Sequence, residues 1–200
     1  MVYLHGGVAG MAKNRNAADA VPAGSPPAPG SGERADAVAS IVADWRRERP
    51  ELDTAPLEVF GRLHRAFLRY STAISRPVER RGLSMAGFDV LTALRRAGAP
   101  FRRTAGELAD SGLISSAGVT LRIDRLEKDG LIRRERDPQD RRVVHSRLTD
   151  EGLSLIDELF SEHLENERRM LAGLSAAECA ELARLLEKLE RSVLSAEGGE

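Results

Sequence analysis

One cysteine, Cys179, in 200 residues is too few for an intrachain disulfide or for a zinc cluster built on cysteine. No apolar run approaches membrane-spanning length, and no charged-then-apolar signal peptide opens the chain. Both absences make a cytoplasmic protein the expectation. Net charge is also missing: 30 Lys and Arg against 31 Asp and Glu leave −1, so no global field advertises nucleic acid. Catalytic signatures are equally scarce. His5, His64, His145 and His163 lie far apart. There is no His-Glu-x-x-His pair, no phosphate-cradling Gly-Lys-Ser/Thr loop and no Gly-x-Ser-x-Gly elbow. His163 beside Glu162 reads as an interface pair rather than a metal site, and Cys179, among Ala and Leu, as packing rather than a redox sensor. Neither an enzyme, a metal nor a cofactor is expected.

Charge is present locally. Arg102 to Leu148 holds 11 Lys and Arg against 8 Asp and Glu, whereas Thr149 to the end holds 5 against 13. DNA binding would therefore rest on a local basic patch, with an acidic body held away from phosphate. A hydrophobic content of 42% supports one core, shared or not with a second chain.

The stretch Thr104 to Leu148 carries the clearest organisation. Thr104-Ala105-Gly106-Glu107 is a capping box, and Ser111-Gly112 breaks the short helix it opens. Ser115 or Ser116 is placed to cap a second helix running to about Asp129, with Val119, Ile123 and Leu126 on one buried face. Gly130 supplies the left-handed residue that ends it. Leu131 to Arg134 and Val143 to Leu148 read as strands joined by the turn Asp137-Pro138-Gln139-Asp140. The result is a helix-turn-helix followed by a β-wing, an arrangement suited to reading double-stranded DNA.

Around it, residues 1–32 are rich in Ala, Gly, Pro and Ser and read as a disordered tail, with Met11 an alternative start to Met1. Residues 33–83 hold two helices. The first, from Ala35 to Arg49, has Val38, Ile41, Val42 and Trp45 on one face. The second, from about Pro56 to Arg81, is capped by Thr54, with Phe60, Leu63, Phe67, Tyr70 and Ile74 spaced as in a helix buried against others. Residues 84–148 form the winged domain, opened by Ser84 with Phe88, Leu91 and Leu94 inward. Residues 149–200 hold a helix from Thr149 or Asp150 to about Ala172, then a capping box at Ser175 and Glu178. That box opens a last helix striped by Leu182, Leu185, Leu186, Leu189 and Val193. The fold class expected is mainly α with a small β-wing. The long apolar stripes exceed what a winged domain needs, so a homodimer through the N- and C-terminal helices is expected.

The candidate DNA contacts follow from these faces. Ser115, Ser116 and Gly118 lie at the start of the recognition helix, where backbone N–H groups favour phosphate. Thr120, Leu121 and Arg125 face outward; Thr120 and Arg125 suit base edges or phosphate, and Leu121 a thymine methyl. At the wing, Arg136, Arg141 and Arg142 flank the turn. Arg141 suits a minor groove, with Asp137 or Asp140 orienting it.

Three runs in this stretch, Leu126-Glu127-Lys128-Asp129-Gly130-Leu131-Ile132, Asp137-Pro138-Gln139-Asp140-Arg141-Arg142 and Leu148-Thr149-Asp150-Glu151-Gly152, together resemble the MarR family of bacterial transcription regulators. The resemblance covers roughly Leu57 to Leu194. Gln139 departs from it where the family often has a basic residue, and Leu121 where it often has a polar one. It implies dimers that place each wing on one half-site of a roughly palindromic duplex. Trp45, Asp89, Arg122 and Arg134 further resemble, position by position, a signature of the family's urate-responsive branch, in which ligand sits between dimer core and winged domain. An indole and a guanidinium suit a flat anionic heterocycle, and an anion near Asp89 would disturb an Asp89–Arg134 pair and shift the helix bearing Arg122. The alternative reading places Trp45 in a core and Asp89 in a structural salt bridge. The function expected is a ligand-responsive repressor released by a small anionic effector such as urate. The alternatives are a winged-helix protein-interaction module and a ligand-insensitive DNA-binding regulator.

Overall fold

The computed structural model describes residues 36–110 and 118–198, so Ser115 and Ser116 lie outside the described residues. The chain divides into two compact units, one ending at Thr54 and one beginning at Ala55. In the first, α1 (Ala37–Glu48) starts at Asp36, whose carboxylate accepts the Val38 N–H at 3.0 Å. Its expected apolar face is only half covered: Val38 and Val42 are buried, while Ile41 and Trp45 are exposed. Thr54, read as a helix cap, accepts a hydrogen bond from Arg46 Nε at 3.2 Å.

The second unit runs α2 (Ala55–Arg80), α3 (Met85–Arg96), β1 (Arg102–Thr104), α4 (Ala105–Ala109), α5 (Val119–Lys128), β2 (Ile132–Arg136), β3 (Val144–Leu148), α6 (Asp150–Met170) and α7 (Ala176–Glu197). It is mostly helical with a three-stranded antiparallel sheet of order β1-β3-β2, the winged-helix class expected. Strand β1 is an addition to the two strands read from sequence. It places Arg103 opposite Ser146, while β2 places Ile132 opposite Leu148 on the other edge of β3.

Helix α3 is the centre of the core. Ser84 Oγ accepts the Gly87 N–H at 3.1 Å, which starts the helix in the register that sends Phe88, Leu91 and Leu94 inward. Against them pack Val119, Ile123 and Leu126 of α5, Ile132, Leu148, and Ile156 and Leu159 of α6. Wholly buried leucines such as Leu91 and Leu94 each contribute roughly 1.5–3 kcal/mol. Their side chains hold α5 on the body, so its opposite face points to solvent.

The long helices α2 and α7 keep most of their apolar stripes open. Within the chain α2 buries only Val78, and α7 has no buried residue. Phe60, Leu63, Phe67 and Tyr70 are exposed, Phe67 to 59%, as are Leu182, Leu185, Leu186 and Val193. The core is closed by α3, α5, α6 and the sheet and takes in only the C-terminal end of α2, so the rest of the stripe stays largely open among the described residues.

A tight backbone joint connects wing and body. Gly130, at φ 73°, turns the end of α5 toward β2. Thr149 then donates its N–H to Leu131 O at 3.1 Å and its hydroxyl to Gly130 O at 2.7 Å, while its Oγ1 accepts the Gly152 N–H at 3.0 Å. A methyl on Gly152 would overlap the Leu131 carbonyl oxygen and come within 2.9 Å of its carbon. Gly152→Ala is therefore expected to lower stability by about 3 kcal/mol or more, because two backbones must part. Chemical denaturation followed by circular dichroism measures it.

Candidate nucleic-acid interface and effector cleft

Helix α5 begins at Gly118 in the left-handed region (φ 84°), without a side-chain cap. With Val119, Ile123 and Leu126 buried, Thr120, Leu121, Asp124, Arg125 and Lys128 are exposed. Arg125 faces Asp129, 3.9 Å away and one turn on, a pairing worth little at such exposure. Thr120, Leu121 and Arg125 thus stand on the outward face that sequence placed them on.

The wing turn is built on Asp137. Its Oδ1 accepts the backbone N–H groups of Gln139 at 2.8 Å and Asp140 at 3.1 Å. Its Oδ2 lies 3.1 Å from His145 Nε2 on β3 and 3.8 Å from the Arg102 guanidinium on β1. Hydrogen bonds from the Gln139 and Asp140 backbones, then from His145, hold its carboxyl below the usual aspartate range. Asp140 accepts the Arg142 N–H at 3.0 Å and faces the Arg142 guanidinium at 3.7 Å. Neither aspartate bonds Arg141 among the described residues; Asp137 fixes the turn instead, because two backbone donors and His145 already occupy it. Arg136, Arg141 and Arg142 are exposed around the turn.

The expected Asp89–Arg134 pair does not form. Arg134 leaves β2 just after the chain reverses at Gly130, so its nearest carboxylates belong to α5 itself. Its guanidinium bonds Glu127 Oε2 at 2.5 Å and Asp124, and its N–H donates to Glu127 Oε1 at 3.0 Å. These bonds, Asp124 first, raise its pKa further. Arg134 is a clamp between β2 and α5.

Asp89 stands on α3 in a different place, a cleft of about 540 Å³ between α2, α3 and α6. Burial raises its pKa above the ordinary aspartate value, opposed by the charges of Arg122 and His163. Asp89 and Arg122 are thus electrostatically linked, and Arg134 is not part of that link. Trp45, on α1 in the other unit, is 46% exposed. Across the cleft Tyr70 Oη donates to Glu167 Oε1 at 2.7 Å, and His163 Nε2 lies 3.1 Å from the same oxygen. His163 pairs with Glu167, one turn on, and not with Glu162, which faces Arg81 at 3.6 Å. Its ring packs 5.0 Å from Phe88, so it lines the cleft. Desolvation, then Glu167, pushes the Tyr70 phenol up to about 12. Sequence reading named Tyr70 as an apolar-face residue and gave His163 to Glu162; their shared partner Glu167 lies 97 positions from Tyr70 and gave no local signal.

The sequence model of the MarR family matches residues 83–144. The transcriptional regulator PecS of Dickeya dadantii is 39% identical over 158 residues, 79% of this chain and 95% of that protein. The chain belongs to the MarR family. It is a DNA-binding transcriptional regulator, and its relatives are regulators rather than enzymes. Among solved MarR-like structures, Bordetella bronchiseptica BpsR is 30% identical, with a TM-score of 0.59 over 66% of this chain and 92% of that one. AbsC of Streptomyces coelicolor, 23% identical, shares the fold at a TM-score of 0.62 over 72% and 98%. Family members act as dimers and answer to small molecules. No described helix is long and apolar enough to cross a membrane.

The raised pKa of Asp89 has a consequence for stability. The unfolded chain ionises Asp89 at a lower pH than the folded chain does, so its charge opposes folding as pH rises through the folded pKa, and the penalty is complete above it. Asp89→Asn removes that penalty. The variant is expected to melt above the parent protein at pH 7, with the gap closing as pH falls toward 3, as thermal denaturation across that range will show.

Proposed function

We propose that this MarR-family regulator is a repressor that binds a pseudo-palindromic operator as a homodimer and is released by a small anionic effector, urate or a related purine. The observation that carries the DNA-reading part is the shared exposure of two basic elements. Arg125 on the outward face of α5 and Arg136, Arg141 and Arg142 around the wing all point away from the core. In this reading α5 enters the major groove, with Ser115, Ser116, Gly118, Thr120 and Leu121 toward the duplex, while Arg141 reaches the adjacent minor groove. The uncovered stripes of α2 and α7 support the dimer, since a two-fold partner is the commonest cover for such faces. Residues 33–83 and 149–200 would then form the dimerising body and 84–148 the reading head.

The effector part rests on the cleft around Asp89 and on the resemblance of Trp45, Asp89, Arg122 and Arg134 to the urate-responsive signature. BpsR, by its structure's description, has its DNA binding regulated by 6-hydroxynicotinic acid, itself a flat heterocyclic acid. An anion entering beside Asp89 would compete for Arg122, on the recognition helix, and so favour one placement of α5 over another. A ligand that prefers the arrangement unfit for DNA lowers DNA affinity by its differential affinity, and DNA weakens the ligand by the same factor.

Two measurements test this. Arg141→Ala with Arg142→Ala is expected to weaken binding to the upstream intergenic duplex at least tenfold. It should also flatten the salt dependence by roughly one unit of slope for each phosphate that is no longer neutralised. Unchanged affinity in a gel shift would remove the wing from the interface. In the same assay, titration with urate, xanthine and hypoxanthine should release the duplex, and Trp45→Phe or Asp89→Asn should blunt the release. A duplex that no purine displaces would leave a DNA-binding regulator answering to another ligand or to none.

A further inference from the structure

The outward face of α5 carries one residue whose chemistry does not match its neighbours. Thr120, Asp124, Arg125 and Lys128 are all polar, whereas Leu121 is a full-sized aliphatic side chain with 73% of its surface open to water. No other large hydrophobic side chain among the described residues is so exposed. At about 100° per residue, Leu121 lies within roughly 15° of the point opposite the mean direction of Val119, Ile123 and Leu126. The helix is fixed to the body through those three, so Leu121 is the centre of the surface it presents.

An isolated leucine there gains nothing from the fold. Its nearest cover lies to one side, where Arg122, Arg125 and the apolar Leu83 and Leu126 share a shallow recess with it. The major groove offers one apolar feature, the C5 methyl of thymine, and aliphatic side chains meet it by direct contact. Resting on the DNA-reading role given to α5 above, we propose that Leu121 is a specificity-determining residue that reads a thymine C5 methyl in each half-site. Arg125, one turn on, anchors the helix by charge, and Leu121 makes the contact that separates a T·A pair from C·G at the same position. Thr120, the adjacent residue with a methyl of its own, is the competing reader.

The test begins with duplexes selected by the full-length protein from a random library. A selected duplex is then made with deoxyuridine in place of every thymine, which removes the methyls and leaves every hydrogen-bonding group. Competition binding compares the two duplexes with the parent protein and with Leu121→Ala, a change at a solvent-facing position whose fold circular dichroism verifies. The parent is expected to lose roughly fourfold in affinity for each half-site methyl removed, the share of about one buried methyl group. Leu121→Ala is expected to bind the thymine duplex correspondingly less well and to lose nothing further on deoxyuridine. A parent indifferent to the methyls overturns the proposal. So does an equal loss in both proteins, which would give the methyl effect to Thr120 or to DNA shape. If no duplex is selected at all, the DNA-binding role of α5 falls, and this reading of Leu121 with it.

Discussion

Much of this molecule hangs on the approach of two backbones, at Leu131 and Gly152. Leu131 leaves α5 for the wing, and Gly152 sits in the first turn of α6, after the wing has returned. The Thr149 side chain closes the gap by donating to Gly130 O and accepting from Gly152 N. Four directions are set at that one joint: the exit of α5, the start of β2, the end of β3 and the entry of α6. The core then needs only to fill the space that these directions enclose. Ile132, Leu148 and Ile156 do so, each within a few residues of the joint and each buried.

The joint also explains which parts of the fold were legible in the sequence. Caps are local, and four of them read correctly: the Thr104–Glu107 and Ser175–Glu178 boxes, and the single caps at Ser84 and Thr149, are all made, whereas α5 starts at Gly118 with no side-chain cap. The inward faces of α3 and α5 followed from spacing, because those helices pack on their own chain. The same spacing in α2 and α7 said that an apolar face existed without saying what covers it, and the chain alone leaves it open. Strand β1 escaped notice because Arg102-Arg103-Thr104 carries no alternation; it is recruited by the exposed edge of β3.

At the candidate site the outward residues of α5 and the wing arginines were readable from helix and turn geometry. Charge partners were not. A guanidinium selects among carboxylates by distance, and the reversal at Gly130 brings Asp124 and Glu127 to Arg134 before Asp89 can compete. The Tyr70, His163 and Glu167 cluster joins α2 to α6 across 97 positions, so no local window of sequence contains it. Asp89 keeps a raised pKa largely because its own burial outweighs the attraction of Arg122 and His163. Without Arg134 beside it, the cleft holds its acid partly uncompensated.

Arg134 has a further effect on how the reading head meets duplex of arbitrary sequence. It is one of several arginines in the winged region committed to carboxylates, with Arg103 on Glu107 and Arg133 and Arg147 on Glu135. Such internally neutralised charges release few counterions on contact, and counterion release supplies essentially all of the affinity for random DNA. Fewer released counterions mean a weaker hold on duplex of arbitrary sequence, and a larger share of any discrimination left to shape and base contacts.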